Sequence, residues 1–274
     1  MANSDLPPGK LLFSLQIPNT TSGTITCTLP SSLIYLLTFS SPPDNRLTTS
    51  FCRTLLLALD ILEHSYPSGV VVTTSAIRKF YSNGLDLRHA FATKDFMATS
   101  LYPLFRRFLT YPMPTIALIN GHAFAAGFML AMHHDYRMMP QNRGFLCLNE
   151  VEFGVPLQPP MSSVFRQKCD PTTYRDMVLE AKRFGGEDAL RLGLVDGVGE
   201  GWGCVEELVS QRGLREKGKS GVYGELKEEM WRESVALLEG DGESEIRKVE
   251  RGLARERLKS EGKIKVTKWA KEKL

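Results

Sequence analysis

The sequence predicts an α/β fold: a superhelical stack of strand-strand-helix units followed by a helical C-terminal region. Short buried strands alternate with stretches of helical periodicity. The order strand, strand, helix recurs loosely about four times, with no strict repeat in the residues. From Pro159 onward the pattern is mostly helical. A chain of 274 residues suits one large domain or one domain with an appendage. The expected division is a core over residues 1–200 and a helical region over 201–274, acting as a lid or in oligomerisation.

The elements follow in order. "KLLFSLQI" and "TITCTL" flank the turn-rich "PNTTSG" and predict a hairpin. "SLIYLLTF" reads as a third strand and "SPPDNRLT" as a loop. Asp44 or Thr48 caps the helix carrying "SFCRTLLLALDILEH". "SGVVVTTSA" is a short buried strand, and "KFYSNGLDL" a loop. Helical periodicity runs from about Arg88 to Leu109, until "YPMP" breaks it. "TIALIN" is a buried strand before a helix from about Ala126 to His133. "YRMM" and "RGFLCLNE" read as two more short strands. The stretch from Glu216 to Leu274 is dense in both charge signs and predicts an exposed helical tail or a lid.

Composition narrows the function. Hydrophobic residues make 42% and charged residues 24%, ordinary for a globular chain. A net charge of +3 gives no support to nucleic-acid or membrane-surface binding as a main role. Five cysteines, Cys27, Cys52, Cys147, Cys169 and Cys204, are scattered and form no C-x-x-C pair. That argues against a disulfide framework or a zinc site and for a reducing compartment. His133 and His134 point to different helix faces with no carboxylate at ligand spacing, so no metal site is expected. No segment is long enough to span a membrane, and "MANSDLPPGK" lacks the apolar stretch of a secretory signal. The final "EKL" departs from the peroxisomal S-K-L at Glu272 and leaves two readings, a peroxisomal address or a charged helix end.

Three stretches share one chemical logic. In "FYSNGLDL" a glycine bend between strand and helix can turn a backbone N–H into a pocket. In "GHAFAAGF", Ala125, Ala126 and Gly127 open a helix, whose first N–H groups have no internal acceptor. Two such donors converging make an oxyanion hole. In "LCLNEVEFG", Glu150 follows an apolar strand, and a carboxylate in apolar surroundings is a base near neutral pH. Taken singly, the three are more often, respectively, only a turn, tight helix–strand packing and a solvated strand end.

Together they resemble the crotonase, or enoyl-CoA hydratase/isomerase, superfamily. The long signature is Pro114, "TIALI", Asn120-Gly121, the small triplet Ala125-Ala126-Gly127, and Asp135. "FYSNGLDL" resembles the family's first oxyanion loop, and "PPDNRLT" its early CoA-side loop. The resemblance covers roughly residues 35 to 200. It implies that the N–H groups of Leu85 and Ala126 meet a thioester oxygen. Asn83, Gly84, Asp86, Leu87 and Asn149 then belong to the substrate-binding set.

Hydratases of this kind use two glutamates. The first would stand where this chain has Met129, which transfers no proton. The second corresponds to Glu150, four residues before Gly154. A lone glutamate after Asn149 resembles the Δ3,Δ2-enoyl-CoA isomerases, acting on unsaturated fatty acyl-CoA in β-oxidation. Glu152, sharing a strand face with Glu150, competes for the role. Phe128, Met129, Met132 and Phe145 are expected in the core or an acyl pocket, and Lys263, Lys265, Lys268, Lys271 and Lys273 on a solvated face or at CoA phosphates. No cofactor is expected, CoA being part of the substrate, and the resemblance implies a homotrimer or a pair of trimers. The alternatives are a thioester hydrolase of the same fold and a non-catalytic binding protein.

Overall fold

Strands that read as unbroken apolar runs need cover on both faces. In the computed structural model, which describes residues 7–240 and also 253, 254, 256–261, 263, 264 and 271, that cover is present. β1 (Lys10–Gln16) and β2 (Thr24–Ser31) form the expected antiparallel hairpin. Its turn is tied by Thr20, whose hydroxyl donates to Ile17 O at 2.6 Å and accepts from Gly23 N at 2.9 Å. β3 (Ile34–Ser40) returns antiparallel to β2. α1 (Thr49–Ser65) follows, and Thr48 rather than Asp44 is its cap, accepting from Phe51 N.

β4 (Val70–Ser75) pairs parallel to β3, and β5 (Phe80–Ser82) leaves the main sheet. After α2 (Leu87–Ala92) and α3 (Tyr102–Thr110) the pattern repeats twice. β6 (Thr115–Leu118), β7 (His122–Phe124) and α4 (Ala126–Met132) make one unit. β8 (Tyr136–Met139), β9 (Leu146–Cys147), α5 (Glu150–Phe153) and α6 (Pro159–Lys168) make the next. α7 (Pro171–Leu179) and α8 (Gly186–Arg191) lead to β10 (Gly197–Val198). The large sheet has the order β1-β2-β3-β4-β6-β8-β10, and the small parallel sheet β5-β7-β9. Each turn of the chain thus lays one strand in each sheet and returns by helix.

Alternation along the strands divides the core. Tyr35, Leu37 and Val71 face α1, α3 and α4, whereas Ile34, Leu36, Val70, Val72, Ile116 and Leu118 face the other way. That second face is covered by α9 (Gly203–Gln211) through Val205, Leu208 and Val209.

Three local expectations change. The helix expected from Arg88 to Leu109 breaks after Ala92, with Asp95 left-handed at φ 55 and a π-helical turn over Met97–Leu101. Pro103 lacks an N–H and its ring crowds the preceding turn, which the wider turn accommodates. The loop "KFYSNGLDL" contains β5, and "GHAF" contains β7. The tail expected from Glu216 onward is not wholly exposed. After α10 (Leu214–Lys217), α11 (Tyr223–Met230) packs on α3, and α12 (Arg232–Glu239) packs on α3 and α6. Ser234, Val235 and Leu238 are buried there. Lys227 Nζ lies 2.8 Å from Asp135, and both side chains are buried. Of the tail lysines, Lys263 and Lys271 are exposed, while Lys265, Lys268 and Lys273 lie outside the described residues, as does the final "EKL".

Candidate active site

Small residues stand where backbones approach closely. A Cβ on Gly127 would lie 2.3 Å from Ser82 O, so the start of α4 can sit against β5 only as glycine. Gly84 has φ +83, and a Cβ there would meet Phe124 O at 3.0 Å, Ala125 Cβ at 3.1 Å and Ala126 N at 3.3 Å. These two positions bring the loop after β5 against the β7–α4 junction. Gly84 therefore packs the two loops together and does not itself line the cavity below.

Backbone pairing then leaves two N–H groups over. Leu47 bridges Leu85 in parallel: Leu47 N donates to Gly84 O at 2.8 Å and Asp86 N to Leu47 O at 3.4 Å. Such a ladder engages the flanking groups and leaves the N–H of Leu85 off the edge that faces Leu47. At the second loop Ala125 N donates to Cys147 O at 2.8 Å, and Ala126 begins α4. Among the described residues no acceptor takes the N–H of Leu85 or Ala126.

Both residues line a cavity of about 720 Å³ that also holds Asn83, Asp86, Leu87, Asn149 and Glu150. Of the eight residues expected in catalytic, oxyanion and substrate-binding roles, seven thus meet in one place, Gly84 supporting from behind. One wall is apolar, from α2 and the turn after it: Leu87, Ala90, Phe91 and Met97. The facing wall is Phe153, Val155, Leu157 and Met161. Phe91 and Phe153 are exposed at the rim, at 78% and 65%.

Glu150 does not sit on a strand. β9 ends at Cys147, and Glu150 opens the single turn α5, closed by left-handed Gly154 at φ 66. Residues two apart on a helix point roughly 200° apart, so Glu150 and Glu152 do not share a face. Glu152 is exposed, whereas Glu150 lines the cavity. Desolvation between the apolar walls pushes the Glu150 carboxyl up from 4.5 to about 7, and its Oε2 is buried without a partner. Asn149 Oδ1 is likewise buried and unpartnered. The other carboxylate on the cavity, Asp86, is engaged as the cap of α2 and accepts from His89 N at 2.9 Å.

Other residues singled out from sequence are structural. Phe128, Met129 and Met132 are fully buried in the core, Phe145 is 41% exposed, and none of the four lines the cavity. His133 stacks on Phe105 and His134 on Phe108, at 4.2 and 4.0 Å between ring centroids. Burial holds both imidazoles neutral, His133 at about 3 and His134 well below its ordinary value. Among the described residues no group of three or more His, Cys, Asp or Glu converges as a metal site. No described helix is long and apolar enough to cross a membrane. Sequence reasoning quoted Arg46 and Ala125 within their motifs but assigned them no role. Both line the cavity, and Ala125 is strained at φ 48, ψ −124.

A spiral of strand-strand-helix units, with two free N–H groups and a buried carboxylate on one apolar cavity, is the architecture of a crotonase-type protein. Comparison with known proteins agrees. The family model described as "Enoyl-CoA hydratase/isomerase" matches residues 30–237. Enoyl-CoA delta isomerase 2, peroxisomal, of Arabidopsis thaliana is 31% identical, covering 75% of this chain and 91% of the relative. Enoyl-CoA delta isomerase 1, peroxisomal, of the same plant is 32% identical, covering 77% and 91%. In fold, an enoyl-CoA hydratase of Mycobacterium marinum superposes with a TM-score of 0.68 at 23% identity, covering 80% of this chain and 96% of that one. The chain belongs to the enoyl-CoA hydratase/isomerase family and is an enzyme of that family.

Proposed function

We propose that the protein is a Δ3,Δ2-enoyl-CoA isomerase in which Glu150 is the single proton shuttle. The observation that carries this reading is the state of Glu150. It is the one cavity carboxylate without a structural engagement, and burial holds it near neutrality. The residue two beyond Gly127, Met129, is buried in the core and offers no second carboxylate. Hydration needs one group to activate water and another to protonate carbon. Transposing a double bond needs one group that visits both carbons.

The steps balance without water or redox. The thioester oxygen accepts from the N–H groups of Leu85 and Ala126. The Glu150 carboxylate takes a proton from C2, and the C–H electron pair moves into a dienolate whose charge rests on that oxygen. Glu150 returns the proton to C4, leaving the double bond between C2 and C3. Losing one donor of this kind costs about a hundredfold to a thousandfold in rate. Asn83, Asp86, Leu87 and Asn149 contact the substrate, and the two apolar walls take the acyl chain. No cofactor is required, since CoA enters as part of the substrate. Two relatives are named as peroxisomal, which supports the same compartment here. A homotrimer, or a pair of trimers, is the expected assembly.

The test is a substrate screen. Incubation with 3-enoyl-CoA should yield 2-enoyl-CoA, with negligible 3-hydroxyacyl-CoA from either isomer. Comparable hydration would overturn the reading. Release of free thiol would reveal a hydrolase in which Glu150 activates water. No turnover of any enoyl-CoA would leave a binding protein.

A further inference from the structure

The residue before Leu85 packs against the β7–α4 junction, but the chain after it lies outside the core, tied to α1 by His89 Nε2, which accepts from Thr49 N at 3.0 Å. α2 begins two residues on and has no buried residue, and left-handed Asp95 follows it. A donor in that position has to be fixed from elsewhere if its N–H is to keep one direction. The loop between β3 and α1 supplies the anchor. Arg46 Nη1 donates to Leu85 O at 3.0 Å, and Arg46 Nε donates to Asp44 Oδ2 at 3.0 Å. The same Asp44 oxygen accepts from Asn83 Nδ2 at 2.6 Å, while Asp44 O accepts from Asn83 N at 3.0 Å. Leu47 grips Gly84 and Asp86 on either side.

The anchor is itself tied to the main sheet. Asn45 is fully buried and left-handed at φ 54, a conformation that asparagine tolerates. Its side chain donates to Ser75 Oγ at 2.6 Å and to Tyr81 O at 3.0 Å, and accepts from Ser41 N at 2.7 Å. Rigidity therefore passes from β4 and β5 through Asn45 to Asp44 and Arg46, and from Arg46 to the Leu85 carbonyl.

We infer that Arg46, held by Asp44, is a positioning residue for the Leu85 oxyanion donor. This rests on the assignment of Leu85 as a donor. The guanidinium is suited to it, because a planar fork can satisfy a carboxylate and a carbonyl in fixed directions, whereas an ammonium cannot. Arg46 is also the one cation among the described residues that line the cavity, with its side chain 40% exposed. The competing role is direct contact with a phosphate of CoA, and the two roles separate kinetically.

The experiment compares wild type, Arg46→Met and Arg46→Lys, each checked by thermal melt. Turnover of a 3-enoyl-CoA is followed beside the Kd of a saturated acyl-CoA, with an acyl-pantetheine substrate lacking the nucleotide as a second probe. Positioning predicts that Arg46→Met lowers kcat by about tenfold to a hundredfold, short of outright donor loss. KM and Kd should stay within about threefold, and the loss should be equal on acyl-pantetheine. Arg46→Lys should recover part of kcat. A rise in KM and Kd with kcat intact, confined to the CoA substrate, would overturn the inference in favour of phosphate contact. Unchanged kinetics in a folded Arg46→Met would overturn it outright. Ala126→Pro is the control: full turnover in that variant removes the oxyanion reading, and this inference with it. A dead Ala126→Pro beside an active Arg46→Met removes the inference alone.

Discussion

Gly127 and Ser82 are in backbone contact: a Cβ at residue 127 would lie 2.3 Å from Ser82 O and 2.8 Å from Ser82 Cβ. The relationship welds the start of α4 to β5, and so sets the spacing of the two N–H groups proposed as donors. Gly127→Ala should therefore damage both stability and catalysis. Overpacking of this kind costs about 1–3 kcal/mol, and the upper end is expected because the obstacle is backbone. Urea unfolding measures the first effect and 3-enoyl-CoA turnover the second. A variant with wild-type stability would show that β5 and α4 separate freely.

Ala125 presents the opposite case. It holds φ 48, ψ −124 with a side chain that disfavours positive φ. Strain of this type costs about 1–3 kcal/mol, and glycine gives back roughly 0.5–1 kcal/mol of that in unfolded-state entropy. Ala125→Gly should thus raise stability by about 1 kcal/mol. Ala125 lines the cavity, so loss of its methyl group should widen the acyl substrate range while turnover persists. A fall in the melting temperature would contradict the strain argument.

What sequence could read and what it could not divide along physical lines. The hairpin and the strands over "VVVTTS" and "TIAL" follow from local turn chemistry and periodicity and form as expected, whereas the cap of α1, open in the sequence between Asp44 and Thr48, is decided by the structure for Thr48. The break after Ala92 was hidden, because the periodicity of "LRHAFA" and "YPLFRRFLT" is helical on both sides of it. The apolar run "LCL" carries the strand reading on into Glu150, but β9 ends at Cys147 and the single turn closed by left-handed Gly154 takes Glu150 instead. The Arg46–Leu85 bond joins residues 39 apart, and no local signal marks it. The motif residues were legible because close backbone approach demands glycine or alanine, a requirement written in composition.

Asp135, part of the long motif, is not in the cavity. It accepts from Thr115 N at 2.8 Å and Thr115 Oγ1 at 3.1 Å, and pairs with Lys227 Nζ at 2.8 Å. It joins β6 to α11 and thereby fastens the C-terminal helices to the core. Removing one partner of such a buried pair leaves an uncompensated charge and costs about 3–5 kcal/mol. Lys227→Met should lose stability on that scale and expose α11 and α12 to limited proteolysis. Replacing both partners, as in Asp135→Asn with Lys227→Met, should recover part of the loss. If the single variant is as stable as wild type, the helices are held by packing alone.

The carboxyl of Glu150 couples function and stability in opposite directions. Its folded value of about 7 lies above the ordinary 4.5, through desolvation. Between those values the folded state keeps a proton that the unfolded chain releases, so stability falls as pH rises through the window and is lowest above it. Glutamine does not ionise. Glu150→Gln should therefore be more stable than wild type at pH 8, by up to about 3 kcal/mol, and equal to it near pH 4. Activity moves the other way. The ionised form is the base, so wild-type kcat/KM should fall about tenfold per unit as pH drops below neutrality. Glu150→Gln should lose roughly a hundredfold to ten-thousandfold in turnover and lose that pH limb, with acyl-CoA affinity little changed. Exposed Glu152, as glutamine, should be near wild type in every measurement. Denaturant unfolding at pH 4 and pH 8, with pH–rate profiles of all three proteins, decides the matter. A folded Glu150→Gln with normal turnover, or a dead Glu152→Gln, would reassign the base.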